Sequence, residues 1–315
     1  MRTRSSNTYL VWLNWPEACF RADADDVAYL KALVPKGSRV VRATGERGFL
    51  RALPKATHAI VWNFRPEWFA AAPLLRLLAT PAAGQELVPT KGPRGVTIHF
   101  GGFHGAIMAE SVAAFMLAWA RGFFRPELRT KAWPRAELGG VCTEVAGTRA
   151  VIAGYGRVGR AIGAKLEALG VSVVGITRHG IFSGERKIAQ ARLPRLLASA
   201  DWFVMALPST TGTDGFLSSS MIAKLPRRCV VVNVGRGNAV DERALCSALK
   251  THRLAGAYLD VRRHEPSATV LEVPGYVPEL AELPNCVVMP HAAAFSPRYI
   301  RRCFDELNAS GLLRD

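Results

Sequence analysis

The sequence predicts an α/β protein: a doubly wound parallel sheet in one domain, and a second, smaller α/β domain. Three observations carry this. Short β-branched and small apolar runs recur, among them Ala150-Val-Ile-Ala153, Trp202-Phe-Val-Met205 and Cys229-Val-Val-Val-Asn-Val234. Segments of helical spacing alternate with these runs across short connections, the pattern of a parallel sheet with crossover helices. One strand-to-helix connection is the glycine-patterned Gly154-Tyr-Gly-Arg157-Val158-Gly159.

The chain is 315 residues long and 49% hydrophobic, enough for two domains with full cores. No leader-like or membrane-length apolar run is present, so no membrane partner and a cytoplasmic location are expected. The six cysteines are scattered without a C-x-x-C pair, which reads as reduced thiols. No cluster of His, Cys and Asp has metal-ligand spacing, so no metal is expected. The net charge of +16 is spread along the chain rather than concentrated in a patch. It suits anionic small molecules, and no nucleic-acid partner is expected from it.

Taken in order, residues 8–13 form an opening strand, Asp25 to Leu33 a helix, and Ser38 to Arg42 a second strand. Thr57 to Trp62 is a third strand, halted by Pro66; Leu74 to Ala79 and Val96 to His99 come next. A long apolar helix is expected from Ile107 to Phe123, buried because its apolar residues nearly encircle it. Beyond an irregular stretch from Arg125 to Thr148 the glycine-patterned unit begins, with its second strand at Val171 to Ile176. Helices are expected at Leu193–Ser199, Ser218–Leu225 and Asp241–Leu249. Strands are expected at Asp201–Leu207, Cys229–Val234, Gly256–Val261 and Cys286–Met289.

Gly154, Gly156 and Gly159 have the G-x-G-x-x-G spacing of a dinucleotide-binding turn. The first glycine allows the turn, the second lets backbone approach a pyrophosphate, and the third lets helix and strand pack closely. The helix N-terminus then offers amides and a positive dipole end to phosphates. This makes the larger domain a Rossmann cofactor domain. In such domains a carboxylate at the end of the second strand usually binds the ribose 2′-hydroxyl. Here that place reads Thr177-Arg178-His179. With no carboxylate and a cation present, a 2′-phosphate is favoured: NADP(H) is the preferred cofactor, with NAD(H) possible. The later strands each end on a polar residue, namely Arg236, Asp260 with Glu265 beyond it, and His291. A guanidinium, a carboxylate and an imidazole at the carboxyl ends of parallel strands could therefore converge above the cofactor.

Together these pieces resemble the D-isomer-specific 2-hydroxyacid dehydrogenase family. The matching segments are Gly154 to Gly159, Leu207-Pro-Ser-Thr-Thr-Gly-Thr213, Asn233-Val-Gly-Arg-Gly-Asn-Ala-Val-Asp241, Gly256-Ala-Tyr-Leu-Asp-Val261, Glu265-Pro266 and Pro290-His291, in the family's order. Within the family the Val61-Trp62 pairing is similar to the glyoxylate/hydroxypyruvate reductase branch. The resemblance implies a smaller, flavodoxin-like, discontinuous substrate domain at 1–103 and 292–315, and a dinucleotide-binding domain at 104–291. It implies a catalytic triad. His291 protonates a keto oxygen, Glu265 fixes the imidazole's tautomer and raises its pKa, and Arg236 clamps the substrate's carboxylate. It also implies that Leu207, Pro208, Thr213, Val234 and Gly235 line the cofactor, with Asp260 on the nicotinamide carboxamide. Backbone amides at Ala83 and Gly84 would bind the substrate carboxylate, Trp62 would cap a small substrate and Arg65 add positive charge. A homodimer is implied as well.

The function expected is hydride transfer between NADP(H) and a small anionic 2-keto acid, as in a glyoxylate/hydroxypyruvate reductase. Two alternatives stay open: a dinucleotide-sensing, co-repressor-like binding protein, and a formate- or phosphite-type dehydrogenase. Several positions depart from the family pattern: Pro81, the pair Arg262-Arg263, Met289, and a long loop at 267–284. His264 is expected to face solvent, and His58, His99, His104 and His252 to be structural.

Overall fold

The computed structural model describes residues 7–125, 133, 135–183, 186–265 and 275–314. Residues 126–132, and 266–274 at the start of the long loop, lie outside the described residues. The contact pattern divides the chain into two compact units, Met1–His104 with Phe295–Asp315, and Gly105–Ala294.

The first unit carries five strands: β1 (Thr8–Trp12), β2 (Arg39–Arg42), β3 (His58–Val61), β4 (Leu77–Thr80) and β5 (Thr97–Phe100). They pair in the order β2-β1-β3-β4-β5, every pair parallel. That is a flavodoxin-like order. Parallel strands need crossovers, supplied in part by α1 (Ala24–Leu33) and α2 (Glu46–Ala52). Asp23 caps α1 through a reciprocal capping box with Asp26. β3 and β4, buried at every residue, lie inside the sheet with a strand on either side. The strand expected at Leu74–Ala79 begins three residues later. Leu74 is 55% exposed on the approach to β4, so its leucine does not belong to the core run.

The second unit opens with α3 (His104–Ala120), shifted toward the N-terminus from the expected 107–123, because Gly122 takes a positive φ of 74° just after it. After α4 (Arg135–Val141) comes an eight-stranded sheet. Its strands are β6 (Arg149–Ala153), β7 (Ser172–Thr177), β8 (Gly180–Ser183), β9 (Arg186–Ile188), β10 (Trp202–Met205), β11 (Val230–Asn233), β12 (Gly256–Leu259) and β13 (Cys286–Val288). The order is β13-β12-β11-β10-β6-β7-β8-β9. Six strands are parallel, while β7-β8 and β8-β9 are antiparallel, so the sheet is mixed. The closing hairpin is a departure from the purely parallel expectation.

The central strands feed two different cores by alternation. Val151, Phe203, Val231 and Ala257 pack with Leu245 and Leu249 of α6 (Glu242–Lys250). Their neighbours Ile152, Val204, Val232 and Tyr258 pack with Val112 and Met116 of α3 and Ile162 of α5 (Arg157–Glu167). A sheet buried on both faces explains why these strands read as continuous apolar runs instead of alternating with polar residues. The reversal of strand order falls between β6 and β10, where open α/β sheets bind ligands beyond their carboxyl ends.

Candidate functional site

The glycine turn leaves β6 at its carboxyl end. Gly154 has φ +91°, and a Cβ there would stand 2.5 Å from the Ala206 carbonyl oxygen. A Cβ at Gly159 would stand 2.3 Å from the Gly154 oxygen, so α5 is seated directly on the turn. Around Gly156, by contrast, a Cβ would meet nothing within 4 Å. Gly156 caps α5, which places Arg157, Val158 and Gly159 in the first turn, where backbone amides have no intrahelical acceptor. Two tight glycines and one facing open space are what a pyrophosphate cradle needs, and these residues fit a dinucleotide.

β7 ends at Thr177, and Arg178-His179 form the tight turn into β8. The Thr177 hydroxyl accepts from the His179 amide (3.1 Å) and donates to the Gly180 carbonyl (3.1 Å). Its single proton is thus used inside the turn, making Thr177 a turn-former rather than a phosphate donor. The segment from Leu207 to Thr213 closes on itself in a similar way: Thr213 donates to the Pro208 carbonyl (2.6 Å) and accepts from the Thr210 amide (3.0 Å).

β11, β12 and β13 are adjacent and parallel, so the loops at their carboxyl ends share one edge of the sheet. After β11, buried Asn233 shapes the loop: its side chain accepts from the Gly235 amide (3.1 Å) and donates to the Arg236 carbonyl (3.2 Å). Val234 continues the ladder by donating its amide to Met205. Arg236 donates to the Gly235 carbonyl (3.0 Å). Next in sequence, Gly237 admits no side chain, because a Cβ would lie 1.9 Å from the Arg262 carbonyl carbon. After β12, Asp260 is 2% exposed and accepts from the amides of Ala292 and Ala293 (both 2.9 Å), while its carbonyl accepts the His291 amide (2.8 Å). Asp260 thereby pins the segment that carries His291, a residue held at φ +56°.

His291 and Glu265 meet, with Nδ1 to Oε2 at 3.0 Å. The other carboxylate oxygen accepts the Arg262 amide (3.3 Å). The bond to Glu265 raises the His291 pKa above the ordinary 6.5, against burial and against the nearby Arg236 charge. Burial would raise the Glu265 carboxyl, but the bond to His291 and the charges of His291 and Arg236 outweigh it, and its pKa is lowered. Burial pushes Asp260 up despite the two amides it accepts. With Nδ1 facing the carboxylate, Nε2 is left to exchange a proton. Replacing Glu265 by Gln removes the largest upward influence on His291. The imidazole's titration midpoint, followed by NMR, is therefore expected to fall; an unmoved midpoint would separate Glu265 from the histidine's protonation.

Arg262, a departure from the family pattern, is 5% exposed and pairs with buried Glu242 of α6 through Nε (2.9 Å) and Nη2 (3.0 Å). Glu242 also accepts the Arg263 amide (2.8 Å), and the guanidinium stacks 4.5 Å from the Tyr276 ring centre. The sequence alone assigns no role to Asn233, Glu242 or Arg262. Their signal, a polar residue at the end of an apolar strand or in a helix's first turn, has no meaning until the contacts are known. His264 is partly buried and lies against Gly275, where a Cβ would come within 2.9 Å of its Nε2, so it is not simply solvent-facing.

The remaining residues expected to bind substrate lie in the first unit. Trp62 is 7% exposed there, donates its indole N–H to the Phe20 carbonyl (2.8 Å), and packs against Trp15, Phe20 and Tyr299. That is the placement of a core residue, and it corrects the expectation of a ring offered to substrate. Arg65 is exposed, pairs with Glu46 (3.4 Å) and lies over the Trp68 ring. Ala83 is exposed and Gly84 half-buried, in the turn after β4. His58 and His104 are buried, bonded to Thr57 and Tyr299 respectively, and His99 bonds Glu306.

A dinucleotide cradle at the switch point of a doubly wound sheet, with a histidine–carboxylate pair and an arginine at the neighbouring strand ends, defines a coenzyme-dependent class of α/β protein. Comparison with known proteins makes this specific. The model of the D-isomer-specific 2-hydroxyacid dehydrogenase NAD-binding domain matches residues 113–293, and the chain belongs to that family. A D-3-phosphoglycerate dehydrogenase of Mycobacterium leprae is 30% identical over 257 residues, 78% of this chain and 46% of that protein. The chain thus spans about half the length of such relatives. A glyoxylate reductase of Korarchaeum cryptofilum is 30% identical over 242 residues, 73% of this chain and 70% of that one. A solved D-isomer-specific 2-hydroxyacid dehydrogenase of Xanthobacter autotrophicus, in complex with NADPH and MES, superposes with a TM-score of 0.72. It is 26% identical and covers 98% of this chain and 96% of its own. Among the described residues no helix is long and apolar enough to cross a membrane, and no group of His, Cys, Asp and Glu is placed to hold a metal ion.

Proposed function

We propose that the chain catalyses reversible hydride transfer between NADP(H) and a small anionic 2-keto acid, with glyoxylate and hydroxypyruvate as the substrate class. The observation that carries this is the His291–Glu265 bond of 3.0 Å at the strand edge that also bears Arg236, in a dinucleotide-binding fold. The coenzyme, when bound, supplies or accepts the hydride. His291 Nε2 delivers a proton to the keto oxygen during reduction and receives one during oxidation. Glu265 holds the tautomer that makes this possible and stabilises the imidazolium. Arg236, a planar guanidinium, binds the carboxylate and orients the carbonyl beside it. Asp260 and Asn233 act at one remove, fixing the backbone that presents His291 and Arg236.

The preference for NADP(H) rests on the carboxyl end of β7. Its turn presents Arg178 and His179 and no carboxylate, so a 2′-phosphate meets attraction rather than repulsion. The similarity to the Xanthobacter protein, solved with NADPH, agrees with this. Exposed Leu117 and Phe123 at and after the end of α3 suit the homodimer that the family resemblance suggests. The test is oxidation of NADPH and NADH against a panel of 2-keto acids. Turnover of glyoxylate or hydroxypyruvate with a higher kcat/KM for NADPH supports the reading; a higher kcat/KM for NADH removes the coenzyme assignment. Coenzyme binding without turnover of any keto acid would favour a dinucleotide-sensing binding protein.

A further inference from the structure

The hairpin β8-β9 and the end of β7 border an open pocket of about 520 Å³, lined by Thr177 to Gly180 on one side and by Lys187 to Ala189 on the other. It lies at the second strand of the dinucleotide unit, where the adenosine ribose is read in such folds. The Thr177 hydroxyl is already used by the turn. A dianionic group entering here would therefore have to be met by cations.

We propose that Lys187 of β9 is a second cationic group for the coenzyme's 2′-phosphate, working with Arg178 of the turn, and that Gly180 is the seat that holds it there. This deepens the NADP(H) reading and rests on it. The register supports the placement. Phe182 pairs with Lys187, and Gly180, two residues before Phe182, falls on the same face of the hairpin. Because Gly180 has no side chain, the lysine stem lies across it. A Cβ there would be 2.8 Å from Lys187 Cε and 3.7 Å from Cδ and Cγ. Gly180 also has φ +144°, a conformation that other residues rarely adopt. The lysine is thus carried back to the residue that immediately follows the Arg178-His179 turn. Among the described residues no carboxylate forms an ion pair with Arg178 or Lys187. A lysine ammonium is a compact point charge on a flexible stem, suited to a phosphate approached from one side, while Arg178 approaches from the turn.

The test is calorimetric binding of 2′,5′-ADP and 5′-AMP, which differ only in the 2′-phosphate, to the full chain and to Lys187→Met and Arg178→Ala. Lys187 is exposed, so its replacement leaves the core untouched. The wild-type chain is expected to bind 2′,5′-ADP at least about tenfold tighter than 5′-AMP, and Lys187→Met to lose about tenfold of the 2′,5′-ADP affinity while shifting 5′-AMP less than about twofold. If Arg178→Ala collapses the discrimination and Lys187→Met leaves it intact, or weakens both ligands equally, the lysine assignment is overturned while the NADP(H) reading stands. If the wild-type chain binds both ligands alike, the NADP(H) reading itself fails.

Discussion

Replacing His291 is expected to lower kcat for 2-keto acid reduction by about 10²- to 10⁴-fold while coenzyme affinity stays near that of the wild type. The cause is local. Nδ1 is committed to Glu265 at 3.0 Å, so Nε2 carries the transferable proton, and the same bond raises the imidazole's pKa. The choice of substitute matters because His291 sits at φ +56°. Alanine is strained there, whereas asparagine tolerates the left-handed region, so His291→Asn separates loss of the proton donor from loss of loop geometry. Both variants should be slow and only His291→Ala less stable. Steady-state rates within about tenfold of wild type in His291→Asn would show that the imidazole is not the acid.

The second large effect is on stability. Glu242→Ala would leave the Arg262 guanidinium buried without its carboxylate and the Arg263 amide without its acceptor. Breaking a buried pair from one side costs about 3–5 kcal/mol, because the abandoned charge stays out of water. A fall of that size in unfolding free energy, read from urea titration, is the expected result. The double variant Glu242→Met/Arg262→Met should recover much of the loss, since hydrophobic replacement of both partners is often neutral or better. It should not recover full activity. The Arg262 amide holds one oxygen of Glu265, and the ion pair with the Tyr276 contact keeps that segment in place. A Glu242→Ala chain as stable as the wild type would mean that solvent reaches the pair.

The parts of this fold that are legible in the chain are those that depend on near neighbours. The β6-turn-α5 unit can be read because its glycine spacing, its apolar strand and its helix lie within a few residues of one another. The buried strands can be read because both faces are covered, which removes polar interruptions. The hairpin β8-β9 is not legible: strands of four and three residues make no periodic signal, and Gly180 looks like a breaker rather than a strand start. Trp62 misleads for a related reason. A tryptophan at a strand's end looks the same whether its ring faces a ligand or packs on Phe20 and Tyr299, the latter more than two hundred positions away. Arg236, Glu265 and His291 can be named from ordered motifs. The residues that hold their backbone, Asn233, Asp260, Glu242 and Arg262, act through contacts across 20 or more positions or through a loop whose shape no pattern encodes.

The most direct test of the central proposal is deuterium transfer. The chain is given NADPH carrying deuterium at the transferable C4 position and hydroxypyruvate, and the product is examined by NMR and chiral chromatography. The expected product is glycerate of D configuration with one deuterium at C2, formed at least about 10²-fold more slowly by His291→Asn. Product without deuterium at C2, or coenzyme bound with neither hydroxypyruvate nor glyoxylate reduced, would contradict the proposal.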